Sequence, residues 1–570
     1  MTARRVVRRE VDEALISQGD WPANWPPALR RVHAARGSTG LGDAMPGLGS
    51  LPPPDGLLGL PQAVALLRDA IARDAQIVVT ADFDCDGATA CAVAVRGLRL
   101  LGARRVSYAV PDRVVHGYGL TPALVDDIAA LEPDLLLTVD HGIACHAGID
   151  AARARGWQVV VTDHHLPGET LPNANAVIDP NQPGDRFPSK ALAGVGVLFY
   201  LLLALRAAAR DAGEPAGTVD LASLLDLVAV GTVADMVALD AANRALVGAG
   251  LRRLREGRAC AGLQALVAVA GRDPARLTTA DIGFGIAPRI NAAGRLEDMR
   301  VGIECLLTDD AAKAQDLAAA LHAINAARRD LQDGMVDAAS AAVDAASSNA
   351  ALAPCLFDDD WHPGVIGLVA SRLKETLHRP VLAFAPSGND DGLLRGSARS
   401  IPGFHMRDAI ALVDARNPGL IARFGGHAMA AGLTLDAAAL PHFTAAIEQV
   451  ARDFGVGGLL QPAIDSDGSL PADALDIANA IALRDGGSWG QGYPEPAFDD
   501  EFALVEFKQV GERHLRLRVR RDGRTLTAIQ FGGWDGTPPS SSLRLVYRLT
   551  PDDWRGGDAV QLIVLHREPA

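Results

Sequence analysis

The sequence has few aromatic residues, few cysteines and no long apolar run, and each shortage limits what the protein can be. Aromatic residues make up 5% of the chain, which leaves few rings for stacking on a ligand. The six cysteines never occur as Cys-x-x-Cys, which argues against a zinc module and favours reduced thiols in the cytoplasm. No window reaches about 18 consecutive apolar residues, and the basic N-terminus is not followed by an apolar core. We therefore expect neither a membrane-spanning helix nor a signal peptide.

The remaining composition is that of a water-soluble globular protein, with 49% hydrophobic and 22% charged residues. A length of 570 residues exceeds a single hydrophobic core, so three or four domains are expected. The formal net charge of −15 argues against a polyanionic partner. However, binding depends on the local field, and metal ions invert the sign of an acidic cleft.

Strand and helix patterns alternate from residue 76 onwards. Helical stretches such as Ala88–Leu101 and Pro122–Leu131 separate the strands, and this spacing predicts a parallel, doubly wound sheet. An Ala-rich stretch at 308–348 predicts one long helix, and a second α/β pattern follows it. From about Phe498, short alternating strands predict a small β domain. The strands predicted for the first sheet are Ile77–Thr80, Val106–Val110, Leu135–Val139, Val159–Thr162 and Ala176–Ile178.

Ionisable residues stand at the carboxyl ends of three of these strands, where open α/β sheets bind their ligands. A lone Asp there is usually a helix cap or a turn former, but convergence of several favours a site. If Asp82–Asp86 is extended, its three carboxylates share one face. Oxygen donors with imidazole and no thiolate suit Mn²⁺ or Mg²⁺, and two such ions form a two-metal site for attack on phosphorus. The residues concerned are Asp82, Asp84, Asp86, Asp140, Asp163, His164 and His165, with Asp235 at the end of a buried helix.

Four motifs between residues 82 and 236 resemble those of the DHH phosphoesterase superfamily. They are Asp-Phe-Asp-Cys-Asp-Gly, Thr-Val-Asp-His-Gly, Thr-Asp-His-His and Gly-Thr-Val-Ala-Asp-Met, in this order. The glycine-rich block Gly425–Gly432 resembles the associated DHHA1 domain. Within the superfamily, the stretches at 111–120, 288–296, 361–373 and 488–496 are similar to the RecJ exonucleases.

The resemblance implies an α/β fold in several domains. It implies a parallel, doubly wound DHH domain, a second α/β domain of the DHHA1 type joined to it by a long helix, and a C-terminal OB-like β-barrel. The predicted segments are an N-terminal arm at 1–60, the DHH catalytic domain at 61–307, the connecting helix at 308–348, the DHHA1 domain at 349–455 and the OB-fold domain at 456–570.

The resemblance also implies roles at the metal site. Asp84 would hold the first metal and Asp86 the second, while Asp140 would bridge them. His164 and Asp235 would complete the second metal. His165 would face the scissile phosphate, with Asp82 in a supporting catalytic role.

The sequence departs from the superfamily pattern at Thr80. Many members have a histidine there, as an additional ligand of the first metal, and this chain has threonine. The first metal would then bind weakly, or a water molecule or a neighbour such as His141 would complete it, and the sequence leaves these alternatives open.

The residues expected to bind the substrate follow from the resemblance in the same way. Arg113, Ser397 and Arg399 would hold the 5′ end of a strand, and Arg289 and Arg295 would hold backbone phosphates. Asn291 and His427 would also contact the substrate. In the β domain, Arg516, Arg518 and Arg520 share one face of a strand, which suits an OB-fold that tracks a single-stranded backbone.

The resemblance therefore predicts a hydrolase that uses Mn²⁺ or Mg²⁺ and degrades single-stranded DNA processively from the 5′ end to 5′-mononucleotides. Its setting would be DNA repair and recombination in the cytoplasm, with a single-strand-binding protein and a RecQ-type helicase as partners. One alternative is a DHH phosphodiesterase of short oligonucleotides or cyclic dinucleotides, although such enzymes lack the β domain. Another is a DHH-like DNA-binding subunit that has lost catalysis. RNA stays open as the substrate because no residue reports on the 2′-hydroxyl.

Overall fold

The chain folds into two units, which each combine segments that are distant in sequence. The computed structural model describes residues 4–113, 115–345, 351–388, 392–553 and 555–570. The smaller unit comprises Met1–Val7 and Ile324–Ile464, and the larger comprises Arg8–Ala323 and Asp465–Ala570. Residues 1–3 of the predicted arm, 346–348 of the predicted connecting helix and 349–350 of the predicted DHHA1 domain lie outside the described residues.

The described secondary structure is mixed, as predicted. The strands are β1 (Arg5–Arg8), β2 (Ile77–Ala81), β3 (Val106–Ala109), β4 (Leu135–Val139), β5 (Gln158–Thr162), β6 (Ala176–Ile178), β7 (Cys355–Phe357), β8 (Val381–Pro386), β9 (Leu393–Arg399), β10 (Arg423–Gly426), β11 (Ala430–Asp436), β12 (Ala463–Ser466), β13 (Phe498–Val510), β14 (His514–Arg521), β15 (Arg524–Gln530), β16 (Ser542–Pro551) and β17 (Val560–Pro569). The helices are α1 (Glu13–Gln18), α2 (Pro27–Ala34), α3 (Leu41–Ala44), α4 (Leu60–Ala72), α5 (Cys85–Leu100), α6 (Pro122–Ile128), α7 (His146–Ala154), α8 (Gly194–Asp211), α9 (Leu225–Ala234), α10 (Ala241–Arg255), α11 (Ala261–Val269), α12 (Thr279–Asp281), α13 (Ala287–Leu296), α14 (Arg300–Leu307), α15 (Ala311–Ala345), α16 (Ile366–Leu377), α17 (Met406–Arg416), α18 (Leu440–Asp453) and α19 (Ile477–Asp485).

A parallel five-stranded sheet forms the centre of the larger unit, in the order β3-β2-β4-β5-β6. Strands β2 and β4 are buried along their whole length, as their largely apolar sequences, each with one threonine, predict. Ala81 pairs with Val139, and Val139 pairs with Thr162, so β2, β4 and β5 end level with one another. The prediction that their carboxyl ends converge is confirmed.

Helices α5, α8 and α9 bury their apolar side chains in the core of this unit. Glycines allow close helix packing, because a Cβ at Gly97 would lie 2.4 Å from Leu202 Cδ1. A Cβ at Gly250 of α10 would lie 2.0 Å from the Leu225 carbonyl oxygen at the start of α9. In the described part of the chain, no helix has the length and apolar character needed to cross a membrane.

The smaller unit contains a second five-stranded sheet, in the order β10-β11-β9-β8-β7. Strands β7 and β8 are parallel, and the other neighbours are antiparallel. The long helix predicted from the Ala-rich stretch is α15, which has 35 residues and contributes to both units.

The C-terminal strands close into a barrel in the order β13-β14-β15-β17-β16, which is the arrangement of an OB-fold. Strands β15 and β17 are parallel, and the other pairs are antiparallel. Along β14, Leu515, Leu517 and Val519 are buried, whereas Arg518 and Arg520 are exposed. The predicted alternation of apolar and arginine faces is therefore confirmed.

The N-terminal segment was expected to be an extended arm, and this expectation is wrong for much of it. Helices α1, α2 and α3 interrupt it, and Pro27 begins α2 at a position where no backbone N–H is needed. His33 of α2 is buried, with the rings of Trp25 and Trp489 each stacked 5.1 Å from its own. Trp25, His33 and Trp489 thus form a packed cluster.

Hydrogen bonds fix the proton on the His33 ring. Nε2 lies 2.9 Å from the Gly486 carbonyl oxygen, which only accepts, so Nε2 carries the proton. Nδ1 then accepts from the Tyr493 hydroxyl at 2.7 Å. Burial lowers the pKa of His33 to about 4, with the nearby charge of Arg36 acting in the same direction.

We predict that His33 makes this cluster sensitive to acid. Because its pKa is lower in the folded state, the unfolded chain binds a proton first as the pH falls below the ordinary value. Its contribution to the free energy of unfolding should therefore be complete above pH 7 and should fall by about 2 kcal/mol by pH 5. Thermal unfolding of the native protein and His33→Gln should show a stability difference that narrows as the pH falls. A difference that stays constant with pH would contradict the prediction.

Candidate metal centre

The segment after β2 carries three aspartates, but it is not extended as predicted. Asp82 follows the strand and is buried. Asp84 is the N-cap of α5 and accepts a hydrogen bond from the Gly87 amide, while Asp86 lies in the first helical turn. The expectation that three extended carboxylates share a face is wrong, because the helix begins among them. A Cβ at Gly87 would lie 2.5 Å from the Asp82 carbonyl oxygen, so glycine permits this tight entry into the helix.

The carboxylates and imidazoles from the different strand ends meet in space. His164 Nε2 lies 3.1 Å from Asp140 Oδ1 and 3.5 Å from Asp235 Oδ2. Asp140 and His164 each belong to two groups of possible ligands. Within each group the ligand atoms lie within 4.8 Å of one another, and the groups are Asp82, Asp84 and Asp140; Asp86, His164 and Asp235; and Asp140, His164 and His165.

These carboxyl groups need a cation. Burial and the charges of neighbouring aspartates raise the pKa of Asp82, of Asp86 and of Asp140, and the pKa of Asp235 rises for the same reasons. Each carboxylate is thus disfavoured by the others, and a bound divalent cation relieves this repulsion. The donor set of carboxylate oxygens and imidazole, without thiolate, fits Mn²⁺ or Mg²⁺.

The carboxylate of Asp86 is held by the N-terminus of α8. Gly194 N donates to one of its oxygens at 2.7 Å, and Val195 N donates to the other at 3.1 Å. A Cβ at Gly194 would lie 2.5 Å from Asp140 Oδ1, and one at Gly231 would lie 2.7 Å from Asp86 Oδ1. No role was predicted for Gly194, and Gly231 was noted only as the first residue of the fourth motif. The only sign of Gly194 was a glycine at the start of an apolar helix.

Asp163 orients the two histidines that follow it. Its Oδ1 accepts from His165 Nδ1 at 2.7 Å and from the His164 amide at 2.7 Å, and its Oδ2 accepts from the Ile143 amide at 2.8 Å. Although burial acts in the opposite direction, the hydrogen bond to His165 holds the pKa of Asp163 well below its usual range. Burial would lower the pKa of His165, but Asp163 outweighs it and raises this pKa to about 9. In the absence of metal, this favours the protonated form of the His165 ring.

Two further contacts to this histidine pair were not foreseen. The Tyr118 hydroxyl lies 3.3 Å from His165 Nε2. Asn181 Nδ2 donates to the His164 carbonyl oxygen at 2.6 Å, and the Asn181 amide donates to Asp179 at 2.7 Å. The turn-rich sequence after β6 indicated a loop but not this contact, which depends on the fold.

The structure offers another candidate ligand in place of the histidine that is absent at position 80. Thr80 is buried in β2, and His141 is buried but belongs to none of the ligand groups found among the described residues. Asp82 instead approaches Asp84 and Asp140, so an all-carboxylate set stands at the candidate first-metal position. This arrangement favours Asp82 over His141 as the replacement.

Three predicted substrate residues of the larger unit, Arg113, Asn291 and Arg295, differ in their surroundings. Arg113 lies at the metal centre, with its guanidinium 3.9 Å from the ring centroid of Phe83 and its Nε donating to the Gly294 carbonyl. Arg295 is half-buried near the end of α13. Asn291 accepts from the Cys85 amide at 2.9 Å and so caps α5.

Arg289 is buried, at 6% exposure. It donates to the Gly285 carbonyl and contacts His322 Nδ1 at 3.1 and 3.2 Å. These contacts support α13, and a role for Arg289 at a backbone phosphate stays a prediction.

The other predicted substrate residues lie in the smaller unit and in the barrel. Arg399 contacts the hydroxyls of Ser371 and Ser397 at 3.1 and 3.0 Å. His427 is exposed at the turn between β10 and β11. On β14, Arg516 pairs with Lys508 across the strands, and Arg518 forms an ion pair with Glu506 at 3.3 Å.

Comparisons with known proteins agree with this fold and site. Family models match for the DHH family N-terminal domain at residues 76–232, the DHHA1 domain at 347–453 and the RecJ OB domain at 466–566. These matches define a metal-dependent phosphoesterase of the DHH type. The single-stranded-DNA-specific exonuclease RecJ of Dickeya dadantii is 46% identical over 97% of this chain and 98% of its own length. The chain therefore belongs to the RecJ family.

Solved structures support the metal assignment. The crystal structure of RecJ in complex with Mn²⁺ from Thermus thermophilus has a TM-score of 0.80 and 33% identity, covering 99% of this chain and 79% of that chain. The complex with Mg²⁺ from the same organism has a TM-score of 0.75 and 30% identity, covering 99% and 78%. Mn²⁺ or Mg²⁺ is thus the cofactor of this metal centre.

We predict that Asp140→Asn raises the melting temperature in EDTA and weakens the stabilisation by Mn²⁺. Removing one buried charge relieves repulsion, but it also removes a ligand shared by two groups. Asparagine tolerates the left-handed backbone of Asp140, with φ of 63°, so the substitution adds little strain. Thermal unfolding with and without Mn²⁺ measures both effects. Asp126→Asn, at a surface acid paired with Arg155, is the control. An unchanged Mn²⁺ shift in Asp140→Asn would refute the assignment.

Proposed function

We propose that this chain is a metal-dependent exonuclease that hydrolyses single-stranded DNA processively from the 5′ end to 5′-mononucleotides. The observation that carries the proposal is the convergence of five aspartates and two histidines at one sheet edge, in a chain that aligns along nearly its full length with single-stranded-DNA-specific RecJ exonucleases. The alternative of a short-oligonucleotide phosphodiesterase does not account for the closed C-terminal barrel.

The ligand roles proposed for the metal centre follow its geometry. Asp84 and Asp82 face the first position, Asp86, His164 and Asp235 face the second, and Asp140 stands between them. Bound Mn²⁺ or Mg²⁺ would supply positive charge at the phosphate and lower the pKa of a coordinated water. The remaining work of binding and orientation falls to the side chains.

His165 is proposed to stabilise the negative charge that develops on the scissile phosphate. Its protonated ring is the donor that such a role requires, and Asp163 fixes the ring through Nδ1. The edge-to-face contact with Tyr118, whose ring centroid lies 6.1 Å away, restricts the other side of the ring. Pre-orientation by these two neighbours means that little reorganisation is needed when charge develops.

The barrel supports a polymeric substrate. Lys508, Arg516, Arg518 and Arg520 lie on the outward face of β13 and β14, with Glu506 as the paired acid. A basic strand face on an OB-fold suits the sugar-phosphate backbone of a single strand. We propose that this face holds the strand while the metal centre cleaves it, which is the basis of processivity.

A buried arginine in the smaller unit supports recognition of a 5′-phosphate. Arg399 has no carboxylate partner among the described residues, and burial lowers its pKa. The Ser371 and Ser397 hydroxyls contact it, and it lies at the first turn of α16, where a Cβ at Gly367 would be 2.8 Å from Nη2. A guanidinium, two hydroxyls and a helix N-terminus form a set of groups that binds phosphate. Arg113 and His427 are proposed to contribute to the same substrate.

The direct test of the function is digestion of single strands labelled at the 5′ or the 3′ end. With Mn²⁺ or Mg²⁺, the native protein should release 5′-labelled mononucleotides first and should spare duplex DNA. Asp140→Ala should reduce the rate by several orders of magnitude, because the bridging ligand is lost. Electrophoresis of timed samples provides the measurement. Early release from the 3′ end would refute the polarity, and strand binding without cleavage would refute the proposed activity.

A second prediction concerns the 5′-phosphate. Arg399→Gln should raise KM for a 5′-phosphorylated strand by about ten-fold or more, because a charge-assisted contact is lost. It should leave KM for a 5′-hydroxyl strand nearly unchanged. Arg416→Gln, at an exposed arginine of the same unit paired with Asp453, is the control. An equal rise for both strands would show that Arg399 has only a structural role.

The cellular setting is proposed from the family resemblance. We propose that the protein acts in the cytoplasm in DNA repair and recombination. A single-strand-binding protein and a RecQ-type helicase would provide it with single-stranded substrate. Both partners generate or hold the form of DNA that the basic barrel face suits.

A further inference from the structure

An exposed phenylalanine stands on a distorted helical turn beside the metal centre. Residues Ile282–Ile286, with the sequence Ile-Gly-Phe-Gly-Ile, form a π-helical turn between α12 and α13. Ile282 and Ile286 are fully buried, whereas Phe284 is 77% exposed, more than any other large apolar side chain in the described part of the chain. Single exposed apolar residues are common, but π-helical turns are rare and are frequently found at functional sites.

The glycines on both sides leave the ring accessible. Gly283 and Gly285 add no side chains beside Phe284, so a flat group can approach it. A Cβ at Gly283 would lie 3.7 Å from Val233 Cγ1, and one at Gly285 would lie 3.5 Å from Arg272 Nε. The turn therefore has an apolar neighbour on one side and a guanidinium on the other.

The turn is close to the metal centre in the fold. Val233 lies in the last turn of α9, two residues before Asp235 of the second ligand group. Met236, which follows Asp235, is 71% exposed and has a left-handed backbone with φ of 61°. The turn that carries Phe284 thus packs against the last turn of α9, and Met236 is exposed just after the proposed metal ligand Asp235.

Hydrogen bonds and an ion pair hold the backbone of this turn in place. The Gly285 carbonyl accepts a hydrogen bond from Arg289, and Thr278 and Asp281 form a capping box at the start of α12. Arg272, which is 46% exposed, forms an ion pair with Asp281 at 3.3 Å. Phe284 is therefore presented by a fixed backbone, which lowers the entropic cost of binding a flat ligand.

We propose that Phe284 stacks on a nucleobase of the single strand next to the metal centre, with Arg272 contacting a neighbouring phosphate. This inference rests on the proposed function and adds to it a base-contacting position outside the barrel. An aromatic ring beside a guanidinium is the combination with which single-strand grooves bind bases and backbone without reading sequence. Phe284 belongs to none of the ligand groups, so we expect it to affect the position of the substrate and not the binding of metal.

The test removes the ring from the protein and single bases from the DNA. Strands that each carry one abasic nucleotide, at successive positions from the 5′ end, are compared in single-turnover release of the first nucleotide. With the native protein, base removal at one position should lower kcat/KM about ten-fold or more. Phe284→Ala should show a similar loss on the intact strand and no further loss at that position. Phe284→Tyr, which keeps the ring, should behave like the native protein.

Two further variants separate stacking from other effects. Arg272→Gln should weaken binding of all strands alike and reduce the salt dependence by about one unit, as a phosphate contact predicts. Leu100→Ala removes an exposed apolar side chain at the far end of α5 and should have no effect. The inference would be overturned if, at every position, removing the base lowers kcat/KM by the same factor in Phe284→Ala as in the native protein. Normal cleavage by Phe284→Ala would also overturn it, and would leave a protein partner as the occupant of this site.

Equilibrium binding distinguishes failure of this inference from failure of the proposed function. The same strands are titrated in EDTA and followed by fluorescence anisotropy. If the native protein binds them with a base effect that depends on Phe284 but releases no nucleotide with metal, the stacking site stands and the nuclease proposal fails. If the native protein releases nucleotides but its binding shows no base effect that depends on Phe284, the nuclease proposal stands and the stacking site fails.

Discussion

The repulsion among buried carboxylates at one edge of the central sheet is the constraint on which the larger unit depends. Parallel strands that end level bring Asp82, Asp140 and Asp163 to the same edge, and α5 adds Asp86. Without a cation, each charged carboxylate raises the free energy needed to ionise its neighbours. The amides of Gly194 and Val195 at the start of α8 partly compensate by donating hydrogen bonds to Asp86. The same repulsion makes the edge a strong site for divalent metal.

Within this cluster, the individual acids are distinguished by their hydrogen bonds. Asp163 accepts from three backbone amides and from the His165 ring, and it is the one whose pKa falls. Asp140 lacks such amide donors in the described structure, and its pKa rises. Acids at the same sheet edge therefore have different roles. Asp163 is a permanent anion that orients an imidazole, whereas Asp140 is suited to a metal.

The fold and the composition of the site could be predicted from the sequence, but its contacts could not. Strands such as Leu135–Val139 follow from largely apolar runs, and the positions of Asp140 and His164 follow from the strand ends. The support from Asn181 and Gly194 depends on residues that are distant along the chain and have no local pattern. The helical position of Asp86 was missed for a different reason. Alternating aspartates suit an extended strand and the first turn of a helix equally well.

Arginine is the residue type for which sequence and structure differ most, because its role depends on which partner is nearby. Arg289 and Arg399 are both largely buried, and a sequence treats them alike. Arg289 is occupied by a carbonyl and by His322, whereas the described structure offers Arg399 only hydroxyls and a carbonyl. A buried guanidinium without an anion is costly, and this cost applies to Arg289 as much as to Arg399, so these contacts alone do not separate the roles of the two arginines.

The net charge of −15 is compatible with a nucleic-acid substrate, because the effect of each charged residue depends on the partner that is nearby. Some of the acids are neutralised inside the protein, as Asp499 is by Arg8 and Arg544. Others form the metal centre, where bound cations reverse the sign of the field. Arg516, Arg518 and Arg520 of β14 lie on the outward strand face, where Glu506 pairs with Arg518. A phosphate backbone therefore meets positive charge at the barrel and at the metals, although the chain as a whole is acidic, because electrostatic attraction acts over about one Debye length.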